Sequence, residues 1–304
     1  MTSNPSNHPE TSMTLVTGAT GAIGGALTTL LASSDLPFRV MCRSPQQLEA
    51  FRRRGIAAVH GDFADPASVR AAMEGCEQLV LVPPFTPALY AHSRQTIDTA
   101  CDLDVRHIVK VSAADANPQS PLPWAAAHGR ADRYLAKSGL AWTVLRPSAF
   151  MGGLLQLAPA IRRGVLPGTS GHGATTWIDS TDIAAAAERV LIDRGRQGGP
   201  GADGRNYLLT GTQPLSFPQV ATMITERLDR RVRYLHIPAP ALYLALRAKR
   251  VPHREAHGAV DQLARIVRRG LDDVRVYSTD LTDLIGRPAL AMADYIDAHR
   301  SELT

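Results

Sequence analysis

Six short apolar runs punctuate the first half of the chain: MTLVTG, FRVMC, IAAVHGD, QLVLVPP, HIVKVSA and AWTVLRP. Each ends in a turn or polar residue, and between them apolar residues recur every three to four positions. Strand, helix and strand in this rhythm predict βαβ units, hence parallel strands joined by right-handed crossovers. The runs are nearly continuous in apolar residues, as strands are when helices cover both faces of a sheet. The expected fold class is α/β, a doubly wound parallel sheet.

After Pro147 the rhythm loosens. TTWIDS, NYLLTG and RVRYLHI read as short strands, with helices expected near Thr181–Asp193, Phe217–Asp229, Ala239–Arg250 and Ala256–Arg268. RGRQGGPGADGRN reads as a Gly-rich surface loop, and no internal repeat is visible. The organisation predicted is a disordered tail over 1–12, a dinucleotide-binding unit over 13–150 and a smaller α/β substrate lobe over 151–304. That lobe is expected to pair with the sheet edge, so sheet elements can interleave.

Composition narrows the class without deciding it. The 304 residues are 44% hydrophobic and 20% charged, and no apolar run approaches the roughly 20 residues of a bilayer span. The polar start, MTSNPSNHPETS, lacks the charged and apolar segments of a signal peptide. Cys42, Cys76 and Cys101 are isolated and lack metal-ligand spacing, which fits a reducing cytoplasm. The net charge of +5 comes with 30 arginines and three lysines, a bias of background composition. Clusters such as Arg52-Arg53-Arg54 and Arg268-Arg269 read as solvated helix faces, so neither a nucleic-acid nor a membrane partner is expected. Monomer and homodimer both stay open.

The strongest motif is TGATGAIGG, directly after the first strand and opening a helix. Its Gly18, Gly21 and Gly24 permit a tight turn and close backbone approach to a pyrophosphate, while Thr20, Ala22 and Ile23 place the helix N-terminus over the anion. The second strand ends in Arg43-Ser44, where NAD-binding relatives of such folds carry an acidic residue for the ribose hydroxyls. An arginine there suits a 2′-phosphate, so the expected cofactor is NADP(H). Further strand ends bring Asp62 and Phe63 to the adenine side, Val82, Pro83 and Pro84 along the cofactor, and Ser112 to the nicotinamide.

With these residues in view, the chain resembles the NmrA-like branch of atypical short-chain dehydrogenases/reductases. TGATGAIG, GDFAD, VSAADA, SGLAWTVLRPSAF and WIDSTDIAAAA carry the resemblance, which covers nearly the whole chain after the tail. It implies a Rossmann-type domain binding NADP(H) with a small substrate lobe. The family holds quinone and carbonyl reductases and also non-enzymatic redox sensors, so fold alone does not choose between them.

Tyrosine-dependent relatives use a serine and then Tyr-x-x-x-Lys, the tyrosine protonating the carbonyl oxygen. Here Ser112 falls at the serine, while Trp124 and His128 take the places of the pair on a helix expected over Pro123–Gly139. An indole N–H donates but does not titrate usefully, so Trp124 is no general acid. His128 shares a face with Asp132; it holds the ribose hydroxyls or relays a proton, or else is a structural histidine bonded to Asp132 across one turn. Tyr134 and Lys137 fall well away from that face.

Phe150 and Met151, beyond Arg146-Pro147 at the lobe junction, are candidates for a substrate wall with Trp124 and Tyr243. Asp182 is expected to cap a helix. His253 and His257 share a helix face but lack a third ligand, so no metal is expected. The function these residues point to is an NADPH-dependent reductase passing hydride to a carbonyl, quinone or enone of an aromatic or polyketide-like molecule. The alternative is a non-catalytic NADP-binding redox sensor acting on a protein partner.

Overall fold

The computed structural model describes residues 12–197, 204–267 and 277–304. The N-terminal tail, the centre of the Gly-rich loop and the Arg268-Arg269 pair lie outside the described residues. Strands β1 (Thr14–Val16), β2 (Phe38–Cys42), β3 (Ala58–His60), β4 (Gln78–Leu81), β5 (His107–Val111) and β6 (Ala141–Pro147) alternate with helices. Those helices are α1 (Ala22–Leu31), α2 (Pro45–Arg52), α3 (Pro66–Met73), α4 (Leu89–Asp102) and α5 (Pro123–Leu135).

The second half continues with β7 (Ala149–Phe150), α6 (Gly153–Gln156), α7 (Ala158–Ile161), β8 (Val165–Gly168), β9 (Ala174–Ile178) and α8 (Ser180–Gln197). There follow β10 (Arg205–Leu209), β11 (Pro214–Ser216), α9 (Phe217–Leu228), β12 (Arg233–His236), α10 (Ala239–Ala248) and α11 (His253–Asp261). α11 runs on into a π-helical turn, Gln262–Val267, before α12 (Asp280–Ile285), α13 (Met292–Ala298) and α14 (Arg300–Leu303).

The main sheet has seven parallel strands in the order β10-β6-β5-β4-β1-β2-β3. β1, β4 and β5 are buried along their full length, as the apolar runs require of strands covered on both faces. α1, α8 and α12 cover one face through Ile23, Leu27, Ile183, Val190 and Leu281, and α3, α4 and α5 cover the other through Val69, Ile97 and Leu135. β10, α8 and α12 therefore belong to the nucleotide-binding unit although they follow residue 151. The chain crosses into the lobe and returns twice.

The lobe keeps its own core around Leu154, Trp177, Ile224 and Ile296, with a three-stranded sheet (β11-β9-β7) and a two-stranded one (β12-β8). Capping explains several starts. Ser44 and Gln47 form a reciprocal capping box at α2, and Ser216 and Gln219 another at α9. α5 starts on Pro123 as expected but ends at Leu135, because Lys137 and Ser138 bond to carbonyls only three residues back, tightening the turn into Gly139.

Candidate active site

The phosphate loop follows β1. Gly18 adopts φ +64°, and a Cβ on it would come within 3.0 Å of Val82. A Cβ on Gly24 would sit 2.3 Å from the Gly18 carbonyl oxygen, so loop and helix touch backbone to backbone. Thr17 fastens the loop to the next strand, its hydroxyl donating to the Val80 carbonyl and accepting from the Val82 N–H. α1 begins at Gly21 with no side-chain cap and no acidic residue in its first turn, and Thr20, Gly21 and Ala22 are exposed. Its free N–H groups face solvent with the positive end of the helix dipole behind them, a cradle of the size and polarity that a pyrophosphate fills.

Arg43 is exposed one residue past β2. Ser44 beside it caps α2: its hydroxyl accepts from the Gln47 N–H, so it holds the helix start next to Arg43. Asp62 is half-buried and its carboxylate accepts from the Ala64 N–H. Phe63 lies in the core, stacked on His92 with ring centroids 6.0 Å apart. Val82, Pro83 and Pro84 are half-buried where β4 ends.

The end of β5 holds a residue that the sequence pattern does not single out. Lys110, in the middle of the apolar run HIVKV, is fully buried. It stands two residues before Ser112, so both side chains leave β5 on the same face. Its Nζ lies 2.9 Å from Asp132 Oδ1 and 3.3 Å from His128 Nδ1. Asp132 Oδ2 accepts from the Ser112 hydroxyl at 2.8 Å and from Arg146 at 3.0 Å. Three strands and helices thus converge on one carboxylate: β5 sends Lys110 with Ser112 near its end, β6 sends Arg146, and α5 presents Asp132 and His128.

A structural role for His128 does not rest on Asp132. Asp132 does not bond His128 across the turn, because two cations and a hydroxyl occupy its oxygens; the ring turns to Lys110 instead.

Electrostatics follow from this packing. Burial alone would raise the Asp132 carboxyl, but Lys110, Ser112 and Arg146 overcome it and hold it below its ordinary value. Burial pulls the Lys110 ammonium below its ordinary value, with Asp132 opposing. His128 is pushed down to about 3 by burial and then by Lys110. It is neutral at any physiological pH. An ammonium only donates, so Nδ1 accepts and the ring proton sits on Nε2. The Ser112 proton is committed to Asp132, which leaves its oxygen as an acceptor only.

Trp124, at the tyrosine position, forms a wall. It packs against Phe85, with ring centroids 6.0 Å apart, and the two rings line a cavity of about 460 Å³ closed on the far side by the turn between α10 and α11. Gly258 on α11 allows the contact, since a Cβ there would come 2.7 Å from Pro123 and 2.9 Å from the Trp124 ring.

Two other wall candidates stand outside that cavity. Met151 is buried in the lobe core because its backbone N–H bonds the Ile178 carbonyl and turns the side chain inward. Tyr243 ties α10 to α11, its hydroxyl 2.8 Å from His253 Nδ1, and does not line the cavity. Phe150 is 45% exposed, and it too stands outside that cavity.

Asp182 is also not a cap. Asp179 caps α8 by accepting from the Thr181 N–H, while Asp182 pairs with Arg287 and accepts from the Leu290 N–H. Tyr134 bonds Asp98, away from the site, and Lys137 is exposed. Among the described residues no three His, Cys, Asp or Glu gather as a metal site; His257 pairs with Asp261.

Residues 18–194 match the NAD(P)H-binding family. The chain belongs to that family. Within it the chain is an NmrA-like member of the atypical short-chain dehydrogenases/reductases, an NAD(P)H-dependent oxidoreductase whose cofactor is NADP(H). It is 31% identical to the NAD(P)H azoreductase of Xenophilus azovorans, over 94% of this chain and 98% of that protein. It is 30% identical to the (4-alkanoyl-5-oxo-2,5-dihydrofuran-3-yl)methyl phosphate reductase of Streptomyces griseus, over 94% and 98%. The solved structure of the NADPH-dependent quinone oxidoreductase 2 of Escherichia coli with NADPH aligns at a TM-score of 0.80 with 27% identity, covering 94% of this chain and 99% of that one.

The cradle fits that cofactor. Gly18, Gly21, Gly24 and the open start of α1 would hold the pyrophosphate, and the exposed Arg43 would pair with a 2′-phosphate.

Proposed function

We propose that this chain reduces a carbonyl, quinone or conjugated enone of an aromatic or polyketide-like small molecule, with His128 and not a tyrosine delivering the proton. The observation that carries this is the Lys110 ammonium set between Asp132 Oδ1 and His128 Nδ1, which fixes a neutral imidazole with its proton on Nε2. NADPH, when bound, supplies the hydride. As charge builds on the acceptor oxygen, the His128 Nε2–H donates to it. Nδ1 can then take a proton from Lys110, whose ammonium is already weakened by burial. Asp132 holds the lysine, and Arg146 and Ser112 hold Asp132.

Relatives named for azo, quinone and phosphorylated furanone substrates support electron-poor, conjugated acceptors over simple alcohol chemistry. Trp124 and Phe85 offer aromatic walls for them.

The test is NADPH oxidation with a panel of naphthoquinones and aromatic ketones, comparing wild type with His128→Gln. Glutamine keeps an N–H donor and cannot pass a proton on. A proton-relay histidine predicts kcat lower by about 100-fold with NADPH affinity kept within threefold. Intact kcat with weakened NADPH binding would reassign His128 to the ribose. Tight NADPH binding with no turnover of any acceptor would support the sensor reading.

A further inference from the structure

We propose that the cavity between Phe85, Trp124 and the α10–α11 turn selects planar aromatic ligands that carry an anionic group, a carboxylate or sulfonate. The inference rests on the reductase reading above and adds to it the charge of the substrate. The volume, about 460 Å³, suits a ligand of two or three fused rings. Its inner wall is apolar: Phe85 and Trp124 pack against each other at 45°, with Pro87, Pro123 and Ala127 beside them.

The outer wall is basic. Arg130, Lys249, Arg250 and Arg254 line it against one carboxylate, Glu255, an excess of three positive charges. Among the described residues none of the four cations has an acid within ion-pair distance, whereas Arg70, Arg189 and Arg227 on other surfaces do. Arg130 is also held in place, its guanidinium 5.0 Å above the Tyr90 ring. Rings on one side and unpaired guanidinium groups on the other recognise a flat anion bidentately.

Backbone geometry points the same way independently. α10 ends in a Schellman motif, with the Val251 N–H bonded to the Leu246 carbonyl and the Arg250 N–H to the Arg247 carbonyl. The residue between, in the left-handed conformation, is ordinarily glycine. Here it is Arg250, at φ +62°. Its side chain lines the cavity in spite of the cost of that conformation.

The experiment titrates full-length protein, saturated with NADP⁺ so that the cofactor cleft is filled, with naphthalene-2-sulfonate and with its neutral isostere naphthalene-2-sulfonamide. Wild type is expected to bind the sulfonate at least tenfold more tightly at low salt, with the preference shrinking as salt rises. Arg250→Gly relieves the left-handed strain, so it folds as well as wild type or better. It should weaken sulfonate binding about fivefold, the worth of one surface ion pair, and leave the sulfonamide unchanged. Lys249→Gln with Arg254→Gln should remove most of the remaining preference.

Equal affinities for the two ligands, or an Arg250→Gly variant that still prefers the sulfonate as wild type does, would overturn the proposal. Reduction of neutral quinones separates the two readings. Turnover without anion preference sinks the site and spares the reductase. Anion preference without turnover of any acceptor keeps the site and sinks the reductase.

Discussion

Lys110 Nζ and His128 Nδ1 stand 3.3 Å apart, one fully buried and the other nearly so. A lysine pays heavily for such burial unless paired, and Asp132 at 2.9 Å is the pair. The contact sets the histidine's tautomer and its charge together. It also makes the proposed proton donor depend on a strand residue that is itself fully buried.

Breaking that pair from one side should cost more than removing it whole. Lys110→Met leaves the Asp132 carboxylate buried with only Arg146 and Ser112, and should lower stability by about 3 kcal/mol. Asp132→Leu strands the ammonium and should cost a similar amount. The double variant should recover much of the loss, giving a coupling energy of about 1–3 kcal/mol. Urea unfolding of the four proteins measures it. Additive losses would mean that the pair is not energetically closed.

The acid side of the stability profile should carry the signature of His128. Its folded value, about 3, lies below the ordinary 6.5, so the fold prefers the neutral ring. Below pH 6.5 the unfolded chain takes up a proton that the folded chain refuses. The contribution is therefore complete above 6.5 and is lost as pH falls from 6.5 toward 3, at up to about 1.4 kcal/mol per pH unit. The groups that set it are Lys110 from β5 and Asp132 on the same helix, with Arg146 behind Asp132. Asp132 is also held below its ordinary value, and its share is kept until pH falls below 3.8, then lost through the folded value. Unfolding at pH 7.5, 6.5, 5.5 and 4.5 should show wild type falling more steeply than His128→Gln. Parallel slopes would show the ring protonated in the fold.

How much of this was legible in the sequence depends on how local each signal is. The phosphate loop was readable because Gly18, Gly21 and Gly24 do their work within seven residues. The cofactor, family and sheet follow from such short-range patterns and from the strand rhythm. Lys110 was not, because a lysine in HIVKV looks like a blemish in a strand until Asp132, 22 positions later, is folded over it. The sequence shows that Met151 is apolar and Tyr243 aromatic but not which way each turns, so their places outside the cavity were not readable. β10 joined the main sheet by pairing with β6 across some sixty residues, a distance over which periodicity says nothing.

The glycines of the phosphate loop should not be equivalent. Gly24→Ala drives a Cβ to 2.3 Å from the Gly18 carbonyl oxygen and 2.8 Å from Ala19 Cα, both backbone atoms that cannot step aside. Gly21→Ala meets its nearest neighbour at 3.4 Å, an ordinary contact. Fluorescence titration should find NADPH binding reduced more than about 30-fold, roughly 2 kcal/mol, in the first variant. The second should stay within about threefold. Equal losses would place the pyrophosphate against Gly21 itself.

Gly258 should tune the substrate side without touching the cofactor. Its missing Cβ lets α11 press on Pro123 and the Trp124 ring, and this contact fixes one wall of the cavity. Gly258→Ala must push α11 outward or turn the indole, at a cost of about 1–3 kcal/mol. The phosphate loop, on the opposite side of β4, has no part in that shift. KM for an aromatic quinone should therefore rise several-fold while the NADPH dissociation constant holds. Adding Trp124→Leu makes room for the methyl group and should return most of the stability but not the KM, because the aromatic wall is then gone. If KM stays at the wild-type value in both variants, the acceptor does not bind against Trp124, and the cavity is not where reduction occurs.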